Sequence, residues 1–340
     1  MNDRVGAPRA DRYLLAGDVG GTKTILALYP YRPKSDQASV EKTYASQDYA
    51  DLESIIESFL SETDGSVVRA SFAVAGPVFK SYVRVTNLPW EVNGPRIAHR
   101  FGFDRTVLMN DAEAIAQSIP YLSPLDLLTL HPGDQDPYGP IAVLAPGTGF
   151  GEAYLTWNGE SYDAHSSEGG HADFAPTDDL QSELLAFLRE ELGHVSVERV
   201  GSGSGIPNVY RFLRDHHGME EPAELAERLA HNDDPMPIIV SAAVDLQCAL
   251  CQETLRTFVS ILGAEAGNLA LKLLATGGIY LGGGLPPRTL PFLQDDRFLT
   301  AIRAKGRFEP LLKRIPVHVI LNPRAALLGA MRLGLQDLDA

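Results

Sequence analysis

Apolar runs broken by glycine and proline recur along the 340 residues, and their spacing switches between two periods. "YLLA" and "TKTILALY", within residues 13–29, read as two strands around a glycine turn. Strand-like runs return at "VVRASFAVAG" (67–76) and "RTVLMND" (105–111). Between them "DLESIIESFL" (51–60) has the i, i+3, i+4 apolar spacing of an amphipathic helix. "DAEAIAQSI" (111–119) opens on an Asp suited to an N-cap or first turn and gathers Ile115, Ala116 and Ile119 on one side. Strands alternating with helices predict an α/β layer structure.

Residues 120–140 are proline-rich and punctuated, as expected where one domain gives way to another. After them "IAVLAPGTGFGEAYL" (141–155) repeats the opening pattern of strand, threonine-bearing glycine turn and strand. The repeat predicts a duplicated domain with a glycine hairpin in each half. "DDLQSELLAFLREELG" (178–193) predicts a helix ending at Gly193 that buries Leu180, Leu184, Leu185, Leu188 and Leu192. "HVSVERVGSGSG" (194–205) reads as a short strand running into glycines. Residues 235–275 read as a long helical region broken near Gly263 or Gly267. "GGIYLGGGLPPR" (277–288) gives a buried strand and a third glycine turn, "VHVIL" (317–321) a last strand and "RAALLGAMRLGL" (324–335) a last helix.

Length and charge narrow the field. The chain suits two domains better than one core. With 44% hydrophobic and 21% charged residues it has the balance of a globular protein. No apolar run reaches the roughly 18–20 residues of a membrane helix, so no membrane association is expected. "MNDRVGAPRADR" carries two Asp and three Arg around no apolar centre, which is not a secretory signal. A net charge of −15 repels phosphate backbones, so nucleic acid is not an expected partner. Cys248 and Cys251 are the only cysteines; without a second pair they read as small buried hydrophobes, and the cytoplasm is the expected compartment.

"GDVGGTKT" (17–24) resembles a Walker A loop, but Thr22 stands where that loop demands glycine, and a strand follows where it demands a helix. The alternative is a β-hairpin whose turn amides form an anion nest. Gly20 and Gly21 permit close approach, Thr22 adds a hydroxyl, Asp18 offers an oxygen to Mg²⁺ directly or through water, and Lys23 need not reach a phosphate. "APGTGFG" (145–151), with Thr148 and Gly149, would be a partner nest, and "GGG" (282–284) could admit an adenosine. Each also reads as a plain turn. "GSGSG" (201–205) lacks dinucleotide spacing, so NAD is not expected.

Asn110 and Asp111 close a strand just before a helix, where α/β folds place ligands. Glu168 and His171 flank two glycines in "SSEGGHADF", and Glu198 follows an apolar run. Carboxylates and an imidazole suit the vicinal hydroxyls of a sugar. The plainer alternatives are an N-cap for Asp111, a core or loop histidine for His171 and a surface charge for Glu198. These spacings do not make a zinc pattern.

Taken together, "GDVGGTKT", "AVAGPV", "TNLPW", "NDAEAIA", "APGTGFG", "SEGGHADFAP", "GGIYLGGG" and "NPRAALLGA" resemble the bacterial glucokinase family of the hexokinase group. The resemblance runs along nearly the whole chain. It implies two duplicated RNase H-like domains of the actin-like ATPase superfamily, 1–121 plus 322–340 and 122–321, with ATP and glucose in the cleft. It implies ATP-dependent phosphorylation of glucose at the 6-hydroxyl, the first step of glycolysis, with Mg²⁺ bridging the phosphates. Asp111 would be the catalytic base, with Asn110, Glu168, His171, Glu198 and Asn87 as sugar ligands. Gly17, Asp18, Gly20, Gly21 and Thr22 would serve the first phosphate hairpin, Thr148 and Gly149 the second, Gly283 and Gly284 the adenosine. The family's usual homodimer is implied, though no sequence feature specifies it.

Two departures qualify the match. After Glu198 the family usually has a leucine first and a proline between glycines, where this chain reads "GSGSG". The zinc-binding cysteine cluster of the related repressor/kinase (ROK) family is missing. A kinase for another hexose, or a non-catalytic sugar and ATP sensor, are the alternative readings.

Overall fold

The computed structural model describes residues 12–31, 36–245 and 248–336. Most of the amino-terminal segment judged not to be a secretory signal therefore lies outside the described residues. Two compact units divide the chain, Met1–Tyr121 with Arg324–Ala340, and Leu122–Pro323. The resemblance put the return to the first unit at 322, two residues before Arg324.

In unit 1, β1 (Arg12–Val19), β2 (Lys23–Pro30), β3 (Val40–Ala45), β4 (Ser66–Val74) and β7 (Arg105–Asn110) form one sheet in the order β3-β2-β1-β4-β7, with β5 (Tyr82–Arg84) and β6 (Glu91–Asn93) pairing separately. The first three strands run antiparallel, whereas β4 and β7 lie parallel to β1. Alternation along β1 feeds two cores, since successive side chains point to opposite faces. Leu15 and Val19 meet Leu52, Ile55, Ile56 and Phe59 of α1 (Leu52–Ser61). Leu14 and Ala16 meet Leu327 and Met331 of the last helix, Ala325–Leu335. Asp51 caps α1 by accepting the Ser54 amide. Two further helices, α2 (Gly94–Phe101) and α3 (Asp111–Ser118), flank β7. Val19 pairs with Val74 and Val74 with Asn110, so three parallel strands end along one sheet edge.

Unit 2 repeats that order and sense. Its strands β8 (Leu127–His131), β9 (Ile141–Pro146), β10 (Phe150–Trp157), β11 (Tyr162–Ser167), β12 (Gly278–Leu281) and β13 (Val317–Ile320) are ordered β11-β10-β9-β12-β13-β8. An antiparallel trio is followed by two parallel strands, with β8 added antiparallel at the edge. Its helices are α4 (Asp179–Leu192), α5 (Glu198–Gly201), α6 (Ile206–Asp215), α7 (Ala223–Ala230), α8 (Met236–Val244), α9 (Ala249–Leu273), α10 (Leu290–Leu293), α11 (Asp296–Arg303) and α12 (Glu309–Leu312). Fully buried Phe212, Phe258 and Phe298 anchor its core.

Two expectations need correction. Residues 194–205 hold no strand beyond a single Asp173–Ser196 bridge, and Glu198 opens the short helix α5. The break in the long helical region falls between α8 and α9, and α9 runs unbroken through Gly263 and Gly267. Those glycines admit α11: a Cβ on either would stand 2.5 Å from the carbonyl oxygen of Phe298 or Ile302. Of the two places read for Asp111, the structure takes the first turn of α3, with Asn110 as the N-cap.

Cys248 and Cys251 are buried and unpaired, and burial pushes the Cys251 thiol well above its usual range. Among the described residues no single helix is long and apolar enough to cross a membrane.

Candidate active site

In unit 1 the chemistry collects at the carboxyl ends of the parallel strands. Asn110 closes β7 and caps α3: its side-chain oxygen accepts the amides of Ala112 (2.9 Å) and Glu113 (3.4 Å), and its amide donates to the Gly76 carbonyl at 3.2 Å. Glu113 reaches back to the Asn110 amide and completes a capping box. Asp111 follows, partly exposed, with one carboxylate oxygen accepting the Ala112 amide at 2.9 Å. Asp18, one residue before the end of β1, lies within electrostatic reach of it. Burial first, and then the charge of Asp111, lift the Asp18 carboxyl to about 6, against the lowering pull of Lys23 and Arg324.

The β1–β2 turn is held from below. Gly20 donates to the Lys23 carbonyl at 3.0 Å, and Ser46 binds the turn three ways: its hydroxyl to the Gly20 carbonyl (2.8 Å) and to Thr24 Oγ1 (2.9 Å), its amide to the Thr22 carbonyl (3.0 Å). Thr22 stands exposed at the tip. Asn87, in a left-handed backbone conformation (φ 66°), packs beside Gly21. Gly17 has a packing duty: the Phe72 ring lies 2.5 Å from where its Cβ would be.

In unit 2 the residues named for the sugar gather around one imidazole. His171 Nε2 lies 3.7 Å from Glu168 Oε2, and its Nδ1 lies 3.9 Å from Glu198 Oε1. The other oxygen of Glu198 accepts the Phe150 amide at 2.9 Å and fills the space a Cβ on Gly149 would need. Thr148 is the exposed tip of this second hairpin. The GSGSG segment closes on it, with Gly203 donating to the Gly147 carbonyl (2.8 Å) and Ser204 to the Thr148 carbonyl (3.1 Å). The third glycine turn lies against the same hairpin. Gly283 takes φ 81°, a conformation glycine tolerates, and a Cβ there would stand 2.8 Å from the Pro146 carbonyl; Gly284 is exposed beside it.

Two contributors escaped the sequence reading. Glu152, only 1% exposed, sits beneath the Glu168–His171 loop, and its Oε2 occupies the volume a Cβ on Gly169 would take. Burial, and then the nearby Glu265, raise its carboxyl to about 7. A lone acid in the apolar strand "GFGEAYL" was the available signal. Arg324 was legible only as the first residue of the predicted last helix; in the fold it stands just before that helix, pairs with Glu41 at 2.6 Å and acts on Asp18.

Comparison with solved structures gives the class first. The glucokinase from an Antarctic psychrotroph aligns at a TM-score of 0.79 and 32% identity, over 95% of this chain and 98% of that one. A ROK family glucokinase from Streptomyces griseus, solved with glucose and AMPPNP, aligns at 0.65 over 95% and 99%; at 19% identity it shows likeness of fold. The fold is thus the mixed α/β fold of these sugar kinases. The family model for glucokinase matches residues 15–337. A glucokinase of Trichormus variabilis is 41% identical over 332 residues, 93% of this chain and 97% of the relative. The chain belongs to the glucokinase family.

Proposed function

We propose that the protein is an ATP-dependent glucokinase that transfers the γ-phosphoryl group of ATP to the 6-hydroxyl of glucose. Family membership supports the activity. The observation that carries the assignment of a base is Asp111, placed at a strand's carboxyl end, in the first turn of a helix that Asn110 already caps. At that strand end its carboxylate is the base that accepts the 6-hydroxyl proton as that oxygen attacks phosphorus. Glu168, His171 and Glu198 bind sugar hydroxyls, with Asn110 and Asn87 as further sugar contacts. The Gly20–Thr22 turn and the Thr148–Gly149 turn offer amides and hydroxyls to phosphate oxygens, and Gly283 and Gly284 receive the adenosine.

Asp18 is the residue we propose for Mg²⁺, directly or through water. Its hard oxygen donors fit the ion, and a divalent cation would offset both the burial that opposes the Asp18 charge and the repulsion from Asp111. When bound, Mg²⁺ would neutralise charge on the transferring phosphates. The shared strand order of the two units supports their reading as duplicated RNase H-like domains of the actin-like ATPase kind. The same proposal implies the cytoplasm, no role for membrane or nucleic acid, and a homodimer as the assembly to look for by light scattering.

A coupled assay over a panel of hexoses with ATP tests it. Glucose 6-phosphate from glucose and ATP is expected. Turnover with another hexose but none with glucose would replace the substrate, and binding without turnover on any would make the protein a sensor.

A further inference from the structure

At the surface of unit 2, Glu183 of α4 faces two consecutive histidines that follow α6. His217 Nε2 lies 3.0 Å and His216 Nε2 3.8 Å from Glu183 Oε2, and one ligating atom from each of the three residues falls within 4.8 Å of the others. Phe212, itself fully buried, organises the pair. Its ring stacks on His216 (centroids 5.4 Å apart, 17° between planes) and meets His217 edge-on (4.9 Å, 71°). Its carbonyl accepts both histidine amides, at 2.9 and 3.3 Å. Phe187 of α4 completes the cluster, 5.6 Å from the Phe212 ring and 6.0 Å from that of His216. His216 is the C-cap of α6 and His217 follows it, before Gly218 turns the chain away at φ 66°. The nearby cation Arg211 is engaged elsewhere, bonded to Glu191 at 2.6 Å and lying over Phe187.

From this arrangement we infer a binding site for a first-row transition-metal dication, Zn²⁺ in the first instance, with Glu183, His216 and His217 as ligands. Two imidazole nitrogens and one carboxylate oxygen are the donors such ions prefer, whereas Mg²⁺ and Ca²⁺ favour oxygen alone. All three side chains are between one third and about one half exposed, so an ion can enter and complete its shell with water. An imidazole pair pre-set by aromatic packing loses little freedom on binding, which favours affinity. The ion would tie α4 to the end of α6, and these helices bracket the segment that carries Glu198 and the 201–205 glycines. The site is thus a clip on the frame of that segment, apart from the residues proposed to touch substrate.

The test uses the full chain without a polyhistidine tag, stripped with chelator and titrated with ZnCl₂ by calorimetry. One equivalent is expected to bind, Co²⁺ to give a tetrahedral d–d spectrum at the same stoichiometry, and Mg²⁺ not to compete. His216→Ala and His217→Ala should each weaken Zn²⁺ binding at least about tenfold, and Glu183→Gln measurably. Zn²⁺ should raise the melting temperature of the natural chain and not that of the double histidine variant, a shift that follows from binding the folded state alone. Circular dichroism of the apo variants checks that they fold. No saturable binding, or undiminished affinity in the folded double variant, would overturn the proposal.

Discussion

The Glu198 carboxylate accepts the Phe150 amide at 2.9 Å while its other oxygen lies 3.9 Å from His171 Nδ1. One acid therefore fixes the second glycine hairpin and borders the proposed sugar ligands at once. Glu198→Ala strips the amide of its acceptor, at a cost of about 1–3 kcal/mol. It should raise KM for both glucose and ATP. Glu198→Gln keeps a carbonyl for the amide and should restore the ATP value while glucose binding stays weak. Steady-state kinetics with each substrate varied in turn would separate the two duties, and equal ATP KM values in both variants would show that the turn does not depend on this contact.

Asp111→Ala should leave the fold intact, because Asn110 and Glu113 cap α3 without it. Loss of a general base costs about 10²–10⁴-fold in turnover. Calorimetric glucose binding is expected to survive. Near-normal kcat would remove Asp111 from the role of base.

Glu152 predicts a pH dependence of stability. Its carboxyl rises from an ordinary 4.5 to about 7 in the folded protein, so between those values the folded state holds a proton that the unfolded chain has released. Stability from this group therefore falls as pH rises from about 4.5 to about 7, then levels off. Glu152→Gln keeps the shape without the charge. It should flatten that slope and stabilise the protein at pH 8 by about 1–3 kcal/mol, read from urea unfolding at pH 5 and pH 8. An unchanged slope would mean that the burial of Glu152 is not what opposes its charge.

The last helix rests on α3 through Gly329, where an added Cβ would overlap the carbonyl of Ala114. Backbone cannot yield as a flexible side chain does, so Gly329→Ala should cost about 1–3 kcal/mol. Because α3 begins at Asp111, kcat should fall along with the melting temperature. A variant of normal stability would indicate that the helix slides freely on α3.

Where sequence and fold agree, the signal is periodic. Leu14, Leu15, Ala16 and Val19 alternate between two faces, each covered by a helix, and the glycine hairpins fall between strands as their spacing implies. The misread places are those where a residue's neighbour is remote in sequence. Val195, Val197 and Val200 suggest a strand, yet Gly201 donates to the Val197 carbonyl at 2.7 Å and the segment coils into a helical turn. Gly263 and Gly267 look like breakers because only the position of α11 explains them. Asp111 and the carboxylates around His171 were legible as residue types at strand and loop ends. The support that Glu152 and Ser46 give from beneath was not, since it depends on distances that no local pattern encodes.

The sheet of unit 1 is roofed on one side by a helix translated only after all of unit 2. A growing chain thus displays Leu14, Ala16, Ile25 and Ala27 to solvent until Leu327 and Met331 leave the ribosome. Unit 2, one uninterrupted stretch, can settle during that interval. The order of synthesis lets the longer unit fold first and leaves the unit bearing Asp111 waiting, its apolar face bare, until that helix has been made.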